Sequence, residues 1–147
     1  MFSWLFSNAL KPGTPAPPFI CRDEQGSVFV LNQQRGKNVV LIFYPGDDTP
    51  VCTRQLCEFR DNWERLKTHN TTVYGVNPSG AERHAAFRKK HEFPFPLLVD
   101  DSQRVAKLYN ASGLIVKRTV YVIDKDGVIR FAKRGKPPVD EIVAALS

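Results

Sequence analysis

The fold of this 147-residue chain is decided by the stretch VVLIFYPGDDTPVCTRQLC, which runs from Val39 to Cys57. Its first six residues are apolar throughout, which is typical of a central strand buried on both faces of a sheet. A loop of Pro, Gly and Asp residues follows. The dipeptide Thr49-Pro50 then predicts a helix start, because Thr favours the N-cap and Pro the first helical position. This order places Cys52 in the first turn of a helix that follows a buried strand.

Cys52, the third residue of the predicted helix, lies beside backbone N–H groups that lack helical partners and beside the positive end of the helix dipole. Both favour the thiolate, which is the nucleophilic form of cysteine. Lowering the pKa of an ordinary cysteine from about 8.5 to about 6 takes about 3.4 kcal/mol. A helix N-terminus typically contributes about 0.3–1 and at most about 2 kcal/mol. The sequence therefore predicts a positively charged side chain, from elsewhere in the chain, next to Cys52.

Cys57 follows Cys52 by five residues. In an intact helix that spacing separates the two Cα atoms by about 8.6 Å and turns them about 140° apart, whereas a disulfide needs a Cα distance within about 7 Å. The two cysteines can therefore join only if the start of the helix unwinds. The spacing also argues against a CxxC redox pair. Because no paired His or Cys lies nearby, we expect no zinc site and no other cofactor.

The composition indicates one globular domain over residues 1–147, with 42% hydrophobic and 24% charged residues. Residues 1–12 are interpreted as a short N-terminal extension. Its apolar first ten residues are too short to span a membrane. We expect them to pack on the domain, with contact to a membrane surface or a partner as the alternative.

Cysteine usage and charge restrict the function further. Three cysteines fit a reducing compartment better than a disulfide framework, so we expect a cytoplasmic protein. Cys21, in an apolar context, is interpreted as a small packed side chain. The net charge of +6 is spread along the chain without a motif for reading nucleic acid. We therefore expect no nucleic-acid partner, but a basic surface suited to an acidic protein.

Strand and helix patterns alternate along the chain. The predicted helix over residues 50–69 carries an apolar stripe of Leu56, Phe59, Trp63 and Leu66, with Cys52 at its inner edge and Cys57 facing away. A capping-box spacing from Ser79 to Glu82 predicts a second helix over residues 79–91. The other predicted elements are strands at 28–31, 39–44, 72–76, 97–100, 117–124 and 128–133 and helices at 102–109, capped by Asp100 or Asp101, and 138–146. This order predicts an α/β thioredoxin-like fold, with a central mixed sheet flanked by helices.

Residues 43–61 resemble the active-site block of the peroxiredoxins, specifically the Q-type, which is also called bacterioferritin comigratory protein. The resemblance is carried by the pattern Pro45-x-x-x-Thr49-x-x-Cys52, with Cys57 five residues further on. It continues through residues 73–76, 94–98 and 118–124 and covers about residues 13–145. Two residues depart from the family pattern: Gly46 replaces the commoner Lys, and Val51 replaces the commoner Gly. We expect Val51 to restrict unwinding of the helix start.

The resemblance implies a thiol peroxidase that reduces hydrogen peroxide and organic hydroperoxides. Cys52 would be the peroxidatic cysteine, whose thiolate becomes a sulfenic acid. Cys57 would be the resolving cysteine, closing an intramolecular disulfide that thioredoxin or a similar dithiol then reduces. Thr49 would hydrogen-bond the peroxide, Pro45 would shield the thiolate from water, and Arg118 would supply the positive charge. An internal resolving cysteine removes the need for a dimer, so we expect a monomer.

Plainer interpretations stand beside these roles. Thr49 could be only a helix cap, Pro45 the end of a strand, Arg118 a surface side chain and Cys57 an inert helix cysteine. Other polar residues are expected to serve turns or to be solvated: Asp47, Asp48, His69, His84 and His91. The alternative function is a redox-responsive binding protein on the same fold. The sequence favours the peroxidase, because a simple switch needs neither Thr49 nor Arg118.

Overall fold

The computed structural model describes residues 8–146, and within them seven strands form one sheet. The strands are β1 (Ile20–Asp23), β2 (Val28–Val30), β3 (Asn38–Phe43), β4 (Thr71–Asn77), β5 (Leu97–Val99), β6 (Thr119–Ile123) and β7 (Ile129–Arg134). Their order across the sheet is β2-β1-β5-β4-β3-β6-β7. Strand β3 is parallel to β4 and antiparallel to β6. The predicted mixed sheet is therefore confirmed.

The described helices are α1 (Pro50–Asp61), α2 (Trp63–Lys67), α3 (Ala81–His91), α4 (Arg104–Leu108) and α5 (Val139–Ala144), with short 3-10 turns at Leu31–Gln34 and Asp101–Gln103. Two apolar cores lie on opposite faces of the sheet. Successive side chains of β3 point to opposite faces, so Leu41 packs in the core under α4 while Ile42 packs in the core under the other four helices. All six residues of β3 are buried, as predicted.

The predicted apolar stripe of the first helix is present, although the helix is not continuous. Leu56, Phe59 and Leu66 are buried, and the half-buried ring of Trp63 lies 6.0 Å from that of Phe95. The helix breaks at Asn62, which separates α1 from α2. The Asn62 side-chain amide donates to the Glu58 carbonyl at 2.9 Å, and such local hydrogen bonds compete with the helical pattern. The prediction of one helix over residues 50–69 was therefore wrong.

The capping box predicted at Ser79 is also absent. The backbone N–H of Ser79 donates to the side-chain oxygen of Asn77 at 2.8 Å, and α3 begins only at Ala81 after Gly80. By contrast, the predicted cap by Asp100 is confirmed. Its carboxylate accepts hydrogen bonds from the N–H groups of Val105 and Ala106 at 2.7 and 2.9 Å.

The start of the described chain lies on the domain. The Leu10 N–H donates to the Tyr121 hydroxyl at 2.9 Å, and Ala9 and Leu10 pack against the core under α4. Most of the predicted apolar N-terminal segment, residues 1–7, falls outside the described residues. Among residues 8–146, no helix has both the length and the hydropathy that a membrane-spanning helix requires.

Candidate functional site

Cys52 and Arg118 meet at one edge of the sheet. Cys52 is buried with no exposed surface. Arg118 immediately precedes β6, whose first residue pairs with the last residue of β3, so the sheet brings Arg118 next to the start of α1. Its Nη2 atom lies 3.2 Å from the Cys52 Sγ. The positive charge that the helix start alone could not supply is therefore placed against the sulfur, across 66 residues of sequence.

Gln55 holds this guanidinium in position. Its side-chain oxygen accepts a hydrogen bond from Nη1 of Arg118 at 2.9 Å, and its amide donates to the Gly135 carbonyl at 3.4 Å. The N–H of Gly135 donates in turn to the Arg118 carbonyl at 2.7 Å. Gln55 is almost fully buried, and the sequence analysis missed it. The available signal was its spacing, one helical turn after Cys52 on the same face.

Replacing Gln55 with leucine removes the acceptor of the Arg118 Nη1 group while keeping a side chain of similar length. We expect oxidation of Cys52 by peroxide to slow about tenfold, the effect of one lost charge-assisted hydrogen bond. Stopped-flow fluorescence measures this rate. The matched control is Gln33→Leu at an exposed position. An unchanged rate in Gln55→Leu would show that Arg118 needs no such support.

Thr49 occupies the N-cap position of α1 without using its side chain as a cap. Its backbone is extended, and its carbonyl accepts the first helical hydrogen bond from the N–H of Thr53 at 2.8 Å. The Thr49 hydroxyl donates to the Gly46 carbonyl at 3.3 Å and makes no bond to the N–H groups of α1. Thr49 is therefore the N-cap residue of α1 by position, as predicted, but its side chain does not cap the helix. Pro45 is half-buried and directly follows the last residues of the β3 run, Phe43 and Tyr44.

Cys57 is a free thiol on the same helix as Cys52. It is half-buried and packs at the border of the core that contains Cys52, so the prediction that it faces away from the core was only partly right. Because α1 is continuous from Pro50 to Asp61, its geometry keeps the two Cα atoms about 8.6 Å apart. The structure shows the reduced, wound form of the helix.

Cys21 lies on β1 and is buried in the core under α4, as predicted for a packed side chain. Its thiol donates to the Val99 carbonyl at 3.1 Å. Burial raises the pKa of Cys21 to about 11, and the nearby Asp100 adds to the shift. At pH 8 only about one Cys21 in a thousand is then a thiolate.

We expect iodoacetamide at pH 8 to label Cys57 and to spare Cys21, which peptide mapping checks. Full labelling in urea is the control, and rapid native labelling of Cys21 would contradict the assignment.

A second polar cluster, which the sequence analysis missed, lies behind the loop of residues 45–49. Asp47 and His84 are both fully buried. Asp47 lies in a turn, as predicted, whereas the prediction of a solvated histidine at position 84 was wrong. The Asp47 carboxylate accepts hydrogen bonds from the Tyr44 hydroxyl at 2.6 Å and the Asn77 amide at 3.1 Å, and lies 2.5 Å from Nδ1 of His84. The one sequence signal is the spacing of His84 and Phe87, which places both on the buried face of α3.

Burial raises the pKa of Tyr44 well above its usual value, and the Asp47 carboxylate adds to the effect. The Tyr44 hydroxyl therefore remains a hydrogen-bond donor. The other two predicted solvated histidines, His69 and His91, are half-buried. Within residues 8–146, no three His, Cys, Asp or Glu side chains lie together as metal ligands would.

Comparison with known proteins adds to this geometry. The model of the AhpC/TSA family matches residues 12–132. The chain is 40% identical over 130 residues to a protein of Sedum lineare named "Peroxiredoxin Q, chloroplastic", covering 86% of this chain and 69% of that one. It is 34% identical over 146 residues to "Peroxiredoxin Bcp" of Bacillus subtilis (strain 168), covering 93% of each. Other plant relatives are longer, and the chain spans 58% of their length.

Among solved structures, the peroxidoxin BcpB of Mycobacterium tuberculosis is similar to this chain, with a TM-score of 0.86 at 28% sequence identity. The similarity covers 92% of this chain and 96% of that one. It confirms the predicted thioredoxin-like architecture.

Proposed function

We propose that this chain, which is a peroxiredoxin of the AhpC/TSA family and therefore a thiol peroxidase, reduces hydrogen peroxide and organic hydroperoxides with Cys52 as the peroxidatic cysteine. The observation that carries the proposal is the contact of 3.2 Å between the Arg118 guanidinium and the Cys52 sulfur. Because the sulfur is buried, water screens this charge weakly, and the guanidinium stabilises negative charge on sulfur more than at an exposed site.

In the first step, the Cys52 thiolate attacks the distal oxygen of the peroxide. The S–O bond forms as the O–O bond breaks, and the leaving oxygen takes up a proton and departs as water or an alcohol. Arg118 stabilises the charge that develops on this oxygen. The Thr49 hydroxyl exchanges its hydrogen bond to Gly46 for one to the peroxide, and Pro45 keeps water from the sulfur.

In the second step, the Cys57 thiol condenses with the Cys52 sulfenic acid, which forms the disulfide and releases water. The first turn of α1 must unwind for the two sulfurs to meet. One feature supports such unwinding: the first turn of α1 lacks a side-chain cap. Thioredoxin or a similar dithiol then reduces the disulfide.

The position of the two cysteines on one helix also supports proposals about the oligomeric state and the cellular compartment of the protein. Both reacting cysteines lie on one helix, so the proposed cycle needs no second copy of the chain and no nucleic acid, and we propose a monomer. A dithiol reductant is available in a reducing compartment, which is why we propose a cytoplasmic location.

Stopped-flow mixing of the reduced protein with hydrogen peroxide tests the proposed function. We expect Cys52 to be oxidised at least about a thousandfold faster than free cysteine at pH 7, since the site stabilises both the thiolate and the leaving oxygen. Cys52→Ser is the control, because it removes the reacting sulfur. Oxidation no faster than that of free cysteine would overturn the proposal and favour the redox-responsive binding protein.

A further inference from the structure

The loop of residues 45–49 is held from behind by buried polar side chains that the peroxide chemistry does not use. We call this cluster the Asp47 latch: Tyr44 at the end of the β3 run, Asp47 in the loop, Asn77 at the end of β4, and His84 on α3. All four side chains are at most 1% exposed. The latch therefore joins the loop that leads into α1 to the sheet and to α3.

The hydrogen bonds of His84 show which of its ring nitrogens carries a hydrogen. Its Nε2 atom lies 2.8 Å from the Leu98 carbonyl oxygen, which can only accept, so Nε2 carries a hydrogen. Its Nδ1 atom lies 2.5 Å from the Asp47 carboxylate, a distance that requires one proton between the two atoms. Asp47 and His84 thus share a proton in a site without water-exposed surface, where an unpaired polar group would be costly.

Three further contacts attach the same loop to α3. Arg83 donates to the backbone carbonyl of Asp47 at 3.0 Å, and Lys90 pairs with the half-exposed Asp48 at 3.1 Å. Nε2 of His91 lies 3.8 Å from the same Asp48 carboxylate. Asp48 also has a φ of 61°, in the left-handed region that non-glycine residues adopt at a cost. The loop therefore keeps a strained conformation that its attachments to α3 must maintain.

We propose that the Asp47 latch keeps the start of α1 wound, and so sets how fast the oxidised Cys52 reaches Cys57. Asp47 lies two residues before Thr49, the N-cap of α1, so unwinding of the first turn pulls directly on Asp47. The first turn has no side-chain cap of its own, which leaves the latch as its main tether on the loop side. Asp47 and His84 are in this view positioning residues for the balance between peroxide attack and disulfide closure.

This inference rests on the proposed Cys52–Cys57 cycle, but one test of it does not need peroxide. Cys52 has no exposed surface in the wound form, so its alkylation in the reduced protein requires opening. We expect Asp47→Ala to raise the rate of Cys52 alkylation by iodoacetamide about tenfold, since buried hydrogen bonds that hold the closed form are lost. Peptide mapping distinguishes Cys52 from the other two cysteines.

The second readout is the rate of disulfide closure, followed by acid quench and mass spectrometry after one equivalent of peroxide. We expect Asp47→Ala to close the disulfide about tenfold faster than the unmodified chain, and to form less sulfinic acid in excess peroxide. Oxidation to the sulfenic acid should be no faster. Asp47→Asn should behave like the unmodified chain, because its amide can donate to a neutral His84 while its oxygen still accepts from Tyr44.

Glu24→Ala is the matched control. Glu24 is a buried carboxylate that pairs with Arg88 of α3 at 2.8 Å and accepts from the Leu97 N–H, but it does not contact the loop. If Asp47→Ala does not fold, Arg83→Met removes the hydrogen bond from Arg83 to the Asp47 carbonyl instead. It should raise the rates of Cys52 alkylation and disulfide closure in the same direction but by a smaller factor. Closure and alkylation rates equal to those of the Glu24→Ala control would overturn the latch. Absence of a sulfenic acid in every variant would instead overturn the proposed function, and alkylation would still decide the latch.

Discussion

Replacing Arg118 with methionine is expected to lower the rate constant for oxidation of Cys52 by peroxide about 100- to 1000-fold, the range seen when one donor to a developing oxyanion is removed. The guanidinium lies within hydrogen-bond distance of the Cys52 sulfur, at 3.2 Å. Its loss removes the stabilisation that we propose for both the attacking thiolate and the leaving oxygen. Stopped-flow fluorescence at pH 7 measures the rate constant.

Two comparisons separate this effect from a change in stability. Arg130→Met removes an arginine from the neighbouring strand β7, where it pairs with Asp124, and should leave the rate unchanged. The rate constant of Arg118→Lys should lie between those of Arg118→Met and the unmodified chain. A lysine ammonium keeps the charge but cannot hydrogen-bond Cys52 and Gln55 together as the planar guanidinium does. A rate constant for Arg118→Met within a factor of about two of the unmodified chain would rule out the proposed role of Arg118 in oxyanion stabilisation.

The Cys57→Ser variant is expected to keep the first oxidation and to lose turnover. Cys57 lies five residues from Cys52 and has no contact with its sulfur in the wound helix, so the rate of sulfenic acid formation should stay within about twofold. Steady-state turnover with thioredoxin should fall at least about a hundredfold, because no second thiol on α1 remains to condense with the sulfenic acid. Mass spectrometry should show sulfinic acid on Cys52 as peroxide accumulates.

Cys21→Ala is the matched control for this variant. Cys21 is buried on β1 and has a raised pKa of about 11, so its removal should change neither the first oxidation nor turnover. Normal recycling of Cys57→Ser would mean that another thiol resolves the sulfenic acid. Loss of recycling in Cys21→Ala would assign that role to Cys21.

Local sequence was enough to predict the frame of the site. The apolar run of β3, the Thr-Pro helix start and the position of Cys52 follow from propensities that act within a few residues. The requirement for a cation at Cys52 followed because lowering the pKa of a cysteine to about 6 takes more free energy than a helix N-terminus contributes. The sheet pairing of β3 with β6 explains how Arg118 meets this requirement. The identity of that cation came from the family resemblance, because a separation of 66 residues carries no local signal.

The residues that support the site could not be predicted in the same way. Gln55 and Arg118 are 63 residues apart, and Asp47 and His84 are 37 apart, so their burial depends on partners that only the folded sheet brings together. Histidine is intermediate between the buried and the exposed residue types, and nothing near His84 in sequence indicates a carboxylate partner. The break at Asn62 was missed for a related reason: the apolar stripe continues across it, while one side-chain hydrogen bond ends the helix.

In the proposed cycle, peroxide oxidises Cys52, and Cys57 then pairs with it. Intact-mass analysis and peptide mapping after one equivalent of hydrogen peroxide test this most directly. We expect a chain lighter by two hydrogens, with a single disulfide between the peptides that contain Cys52 and Cys57, and with Cys21 still a free thiol. A disulfide that includes Cys21, a disulfide between two chains, or a Cys52 that remains reduced would contradict it.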